Sequence, residues 1–151
     1  MQYIIMLLLL LIPLGAIALY VLQALGLIAI AKKQNVDGGW MAFIPILNLG
    51  LMAKIAYDNK YIQWGLPLAF FLTMNFTYEV NGVKNYYGPI IAGGLGSLIG
   101  LVAAILTLIC LYKIYQTLSD KAVLMLVFSI LSFGLLIPIF LFMIRNNELK
   151  Y

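Results

Sequence analysis

From Tyr3 to Ala31 the chain runs without a charged residue. At ~1.5 Å per residue, a helix over this run exceeds the ~30 Å hydrocarbon core of a bilayer, so it can cross with tilt. The run closes on Ala29-Ile30-Ala31, the A-x-A form of a signal-peptide cleavage site. It is, however, roughly twice as long as an ordinary signal-peptide core, and Met1-Gln2 supplies no positive flank. The expectation is a retained membrane span.

The remaining sequence has the same character. Hydrophobic residues make up 65% of the chain and charged residues 9%, where a soluble domain carries roughly a quarter charged. Lipid replaces water as the solvent this composition requires. No Ser-, Pro- or charge-rich linker divides the chain, so residues 1–151 read as a single transmembrane domain. The net charge of +4 comes from Lys and Arg placed singly or in pairs beside apolar runs. That placement fits lipid headgroups and membrane topology, and no nucleic-acid partner is expected. With no His, and Cys110 alone inside an apolar run, haem, zinc and disulfide chemistry lose their usual ligands and no cofactor is expected.

The fold class expected is all-α. It is an integral membrane helical bundle of about four transmembrane helices, over 3–31, 61–78, 89–115 and 122–144, plus one short broken or interfacial helix over 40–57. Gly38-Gly39 turns the chain after the first run. The segment 40–57 is apolar but carries Pro45, Asn48, Gly50 and Lys54, which interrupt a spanning helix. Residues 79–88 form a polar loop, and 116–121 a short turn between two paired helices.

Lys and Arg collect on the cytoplasmic side of membrane proteins. With these four spans, Lys32, Lys33, Lys54, Lys60, Lys113 and Lys121 share one side, opposite Lys84, Arg145 and Lys150. This predicts a multi-pass protein of the cell (plasma) membrane, with both termini outside and the basic loops 32–60 and 113–121 cytoplasmic. A fifth crossing at 40–57 would nearly erase the bias. Three crossings, with 40–78 as a re-entrant hairpin, would sharpen it, but the aromatic residues at both ends of 61–78 argue for crossing there.

Ala92, Gly96, Gly100 and Ala104, with Gly93 and Ser97 beside them, form a small-residue stripe along one helix face. Such stripes let helices approach closely in lipid. The facing element is either the first span, at Gly15, Ala18 and Gly26, or another subunit. Pro13, Pro45, Pro67 and Pro138 each follow an aliphatic residue within an apolar segment and remove a backbone hydrogen bond. Among these, Pro45 with Asn48 and Gly50 marks a possible pore-lining or re-entrant segment. Gln23, Gln63, Ser129 and Ser132 are polar groups of the kind that bond neighbouring helices. Asp37, Asp58, Glu79, Asp120 and Glu148 are scattered through loops and termini, so catalysis is not expected.

Residues 39–56, GWMAFIPILNLGLMAKIA, carry Trp40, the core Ile44-Pro45-Ile46, Asn48 and the closing Lys54-Ile55-Ala56. This pattern resembles small bacterial polytopic membrane proteins of unknown function, termed DUF5684-like. Leu47 stands where that pattern usually has an aromatic residue. The resemblance implies a bacterial source and no particular activity. The function expected is that of a non-catalytic accessory or structural subunit in a larger membrane complex, for secretion, transport or envelope work. Its partners would be membrane lipid and other membrane-protein subunits, in a homo- or hetero-oligomer. The alternative is a self-assembling channel or carrier for a small solute, with 40–57 lining the pathway.

Overall fold

The computed structural model describes residues 2–73, 76–80, 83–87 and 94–150. It is helical apart from one short two-stranded hairpin. Helix α1 spans Gln2–Lys33, with Lys32 and Lys33 in its last turn, where they complement the negative end of the helix dipole. Asn35 ends it in the left-handed region at φ 55, and the Val36 N–H folds back to the Ala31 carbonyl at 2.8 Å. This is the 6→1 closure of a Schellman motif.

Gly38, at φ 101, then opens a 3₁₀ turn over Gly39–Phe43. Gly39 lies against Ile28, and the Ala42 carbonyl accepts the Tyr20 hydroxyl at 3.1 Å. The turn therefore runs back along α1, away from the Lys33 end. Ile44 is extended, as a residue before proline must be, and Pro45 occupies the first turn of α2 (Pro45–Tyr57). Helix α2 returns towards the Lys33 end, where Lys54 Nζ donates to the Asp37 carbonyl at 2.8 Å. The short, broken segment expected over 40–57 is a 3₁₀ turn running back along α1, followed by a helix returning to the Lys33 end.

Asp58, at φ 42, caps α2, and α3 follows over Lys60–Thr73. The helix expected as far as Tyr78 stops earlier, because the next described residues are strands: β1 (Phe76–Val80) and β2 (Val83–Tyr87), antiparallel with Glu79 opposite Lys84. Aromatic and β-branched residues favour the pleated form here, so the loop expected over 79–88 is partly a hairpin. Helix α4 covers Gly94–Leu118 and brings Gly100 against Thr73.

The largest departure is over 122–144, expected as one crossing. It is instead two short helices, α5 (Ala122–Leu131) and α6 (Ile137–Ile144). Phe133 at φ 51 and Gly134 at φ 86 reverse the chain between them. Pro138 then stands in the first turn of α6, where its missing N–H costs no helical bond. Pro45 and Pro138 therefore start helices, whereas Pro13 and Pro67 lie inside them.

The reversal carries the C-terminal tail back to the Lys33 end. Lys33 Nζ donates to the Arg145 carbonyl at 2.9 Å, Asn147 Nδ2 to the Leu118 carbonyl at 2.8 Å, and Lys150 pairs with Asp120. The C-terminal tail thus lies at the same end of the bundle as Lys33, because the chain reverses between α5 and α6. Of the nine Lys and Arg residues, all but Lys84 now gather at this one end.

The core sits in the same half of the bundle. Leu27, Ile30, Leu51, Leu111, Tyr115, Leu118 and Leu141 are fully buried there, while Leu9, Ile12, Leu98 and Leu101 towards the other end are exposed. Instead of the expected four, two described helices are long and apolar enough to cross a membrane. Their apolar stretches are Leu11–Lys33 and Gly96–Leu118.

Candidate functional site

Two polar clusters pin the two inward excursions to the long helices. In the first, Asn48 is buried and both ends of its amide are engaged. Its Nδ2 donates to the Ala42 carbonyl at 3.2 Å, and its Oδ1 accepts from Gln23 Nε2 at 3.3 Å. With the Tyr20 hydroxyl on the same carbonyl, α1 holds the 3₁₀ turn and the start of α2 in one network. Gln63 of α3, also buried, points its amide at Met41 Sδ, 4.0 Å away. Gly50 completes the packing: a Cβ there would stand 2.7 Å from the Gln63 carbonyl oxygen, so α2 and α3 meet backbone to backbone.

In the second cluster, the Tyr115 hydroxyl and Ser129 Oγ are 3.1 Å apart, and Ser129 Oγ donates to the Met125 carbonyl at 2.7 Å. The Tyr115 ring meets Phe140 edge-on, with centroids 6.2 Å apart. One side chain of α4 thereby touches both α5 and α6. Gly26 of α1 closes the other side, since a Cβ there would lie 2.9 Å from the Leu141 carbonyl carbon. Only a residue without a side chain lets α1 and α6 come this close.

Around these clusters lies the basic end. Lys113 Nζ sits 3.9 Å from the centroid of the Tyr57 ring, a cation–π contact between α4 and the end of α2. The Arg145 guanidinium lies over the Phe142 ring. Lys60 and Lys121 are exposed. Among the described residues no group of three His, Cys, Asp or Glu side chains is placed to hold a metal ion. On the side of α3 and α4 an apolar groove of about 450 Å³ runs between Tyr61, Gly65 and Ala69 on one helix and Leu98, Val102 and Leu106 on the other.

The small-residue stripe divides. Ala92 and Gly93 lie outside the described residues. Gly96 is buried, Gly100 faces Thr73 of α3, and Ser97 and Ala104 are exposed. The helix it meets is α3, not α1: Gly15 has nothing within 4 Å, and Gly26 serves α6. Pro45 opens α2 at an exposed position, and Asn48 and Gly50 are buried on the same helix. Asn48 spends its amide inside the protein and Gly50 is pressed against α3. Tyr115 is the residue that sequence reasoning passed over. Its only signal was a polar tip in an apolar run, of the kind that finds a hydrogen-bond partner when buried.

The chain finds no protein-family model, no curated protein and no solved structure that it resembles at a significant level.

Proposed function

We propose that this chain is a non-catalytic integral membrane protein that crosses the bilayer on the long helices α1 and α4, with α3 and the segment after it carrying the chain back between them, inserts two re-entrant hairpins from its basic end, and serves as an accessory subunit of a larger bacterial membrane complex. The observation that carries the reading is the exposure of its two longest apolar helices. Only 28% of the α1 stretch and 22% of the α4 stretch is buried, whereas the central helix of a water-soluble protein hides most of its apolar surface. The surroundings must supply what the fold does not, as hydrocarbon or as a neighbouring subunit.

Three further features support it. The concentration of Lys and Arg at the Lys33 end makes that end cytoplasmic by the positive-inside rule, with the C-terminal tail on the same side and Lys84 opposite. The hairpin sections have the right lengths for partial insertion: α5, with 10 residues, rises ~15 Å, and α6, with 8, rises ~12 Å, against a ~30 Å core. Helix α1, with 32 residues, reaches ~48 Å, and Leu9, Leu11, Ile12, Leu14 and Ile17 on it are uncovered, which leaves a long apolar edge for a partner helix. The motif Trp40, Pro45, Asn48 and Lys54 lies on the first hairpin, so the DUF5684-like resemblance would describe a re-entrant element.

The channel reading draws less support, because the groups that would line a pathway bond to one another. Purification from native membranes in mild detergent tests the subunit reading. A defined set of co-purifying membrane proteins, cross-linked through α1, is the expected result, and a free monomer under gentle extraction would refute it.

A further inference from the structure

We infer that the groove between α3 and α4 binds an anionic phospholipid of the leaflet at the basic end, with one acyl chain lying in the groove and the phosphate beside Lys60 and Lys113. The inference rests on the membrane reading above and names the occupant of one face of the inserted body.

The groove is walled by Tyr61, Gly65 and Ala69 of α3 and by Leu98, Val102 and Leu106 of α4, and its volume is about 450 Å³. Among the described residues none fills it: a Cβ at Gly65 would meet nothing within 4 Å, and Leu98 and Val102 are 60% and 53% exposed. Hydrocarbon is the filling such walls require, since a water there would find no polar partners. The other two hollows near the Lys33 end differ in this respect, one being lined by Lys32, Asn35 and Asp37 and the other by Asp120, Lys121 and Glu148. Those two suit water.

Length and direction choose between a lipid tail and a partner helix. The groove opens at the basic end, because α3 begins there and α4 ends there: Lys113 of α4 lies 3.9 Å from the centroid of the Tyr57 ring, while Gly100, farther back along α4, faces Thr73 at the opposite end of α3. From Tyr61 to Ala69 the wall rises ~12 Å at ~1.5 Å per residue, against roughly 15 Å for one leaflet of a ~30 Å core. A partner helix would cross both leaflets, whereas an acyl chain ends at the midplane, as the groove does.

Charge completes the match at the opening. Leu106 and Lys113 are seven positions apart and so share one face of α4, which carries the groove wall on to an ammonium. The Tyr57 ring under that ammonium is three residues before Lys60, which is exposed. Tyr61 lines the groove yet is 88% exposed, the situation of an aromatic residue at headgroup depth. Among the described residues the one ion pair joins Lys150 and Asp120, so neither Lys60 nor Lys113 is spent on a carboxylate. Asp58 is the acidic residue of the same turn, and two lysines against it leave a net charge of +1. That surplus attracts a phosphate and disfavours a headgroup that brings an ammonium of its own.

The test offers purified full-length protein in mild detergent equal amounts of phosphatidylglycerol and phosphatidylcholine with identical acyl chains, and counts the bound lipid by native mass spectrometry. One phosphatidylglycerol per chain is expected, retained several-fold better than phosphatidylcholine. Lys60→Gln together with Lys113→Gln should erase the preference. Gly65→Leu, which fills the groove, should abolish retention of both lipids, and Val102→Phe, on the opposite wall, fills the same space and decides the matter if Gly65→Leu lowers the unfolding midpoint. Equal retention of the two lipids by the unaltered protein, a preference that survives loss of both lysines, retention unchanged in the filled variants, or a co-purifying protein that the filled variants release would overturn the inference while leaving membrane insertion intact. Failure of the protein to float with vesicles of either lipid would remove both.

Discussion

Lys33 Nζ donates to the main-chain carbonyl of Arg145 at 2.9 Å and to that of Asn147 at 2.6 Å, across 112 and 114 positions of sequence. An ammonium at the end of the first long helix thus satisfies carbonyls that the last short helix leaves open. The C-terminal ends of α1 and α6 are thereby held at the same end of the bundle.

With Cys110 replaced by Ser, single cysteines introduced as Lys32→Cys and Leu149→Cys should react with an impermeant maleimide only from the cytoplasmic side. Lys84→Cys should react only from outside. Labelling of position 149 together with position 84 would show that 122–144 crosses after all.

Gly26→Leu should destabilise the fold by about 1–3 kcal/mol, the usual penalty for forcing extra volume into a packed contact, because it drives a side chain into the Leu141 backbone. Gly15→Leu, on the same helix with open space around it, should be close to neutral. Unfolding midpoints of the two variants in one detergent make the comparison, and equal midpoints would remove the α1–α6 contact.

The Gln23–Asn48 bond can be weighed by a double-mutant cycle with Gln23→Leu and Asn48→Leu. Interhelical hydrogen bonds in membrane proteins couple by about 0.6 kcal/mol on average and rarely above about 1.7, so a coupling of that size is expected. Asn48→Leu alone should cost more, since it also strips a donor from the Ala42 carbonyl. A coupling of zero would mean that the two amides do not meet.

Tyr115→Phe keeps the edge contact with Phe140 and removes only the bond to Ser129. The expected loss is about 0.5–1.5 kcal/mol, read as a lower unfolding midpoint in detergent. An unchanged midpoint would show that this hydroxyl does not hold the hairpin.

Gly100 and Ala104 separate internal from external packing. Gly100→Ala should be tolerated, because its Cβ would meet Thr73 at an ordinary 3.7 Å. Gly100→Leu should loosen α3 and lower the unfolding midpoint. Ala104→Leu, on an exposed position, should leave that midpoint alone yet reduce recovery of any co-purifying subunit.

The sequence made some of this architecture readable. The uncharged run to Ala31 and the run through Ala103 and Cys110 each became a long helix, since length and hydropathy suffice for that. Pro45 beside Asn48 and Gly50 marked a segment too interrupted to span. The reversal at Phe133 was hidden because hydropathy records composition and is blind to the sign of φ. Ser132 to Leu136 carries no charge, so it does not break the apolar run. Gly134 followed by Pro138 was the available clue, the same stop and restart that Gly38 and Pro45 supply earlier in the chain. The β-hairpin also had a marker, Asn81-Gly82 between Val and Tyr residues, overlooked because it falls beside an apolar helix. Partner residues of the polar clusters were named singly, but which of them met depended on two chain reversals, and one of those was unseen.

The seat that Gly26 offers to Leu141 also bears on biosynthesis. A ribosome has made more than a hundred further residues by the time the occupant of that seat exists, so the face of α1 around Gly26 stays uncovered until then. Closure waits for the final helix. Any truncation before Ile137, whatever it leaves of the earlier helices, would leave the seat at Gly26 empty.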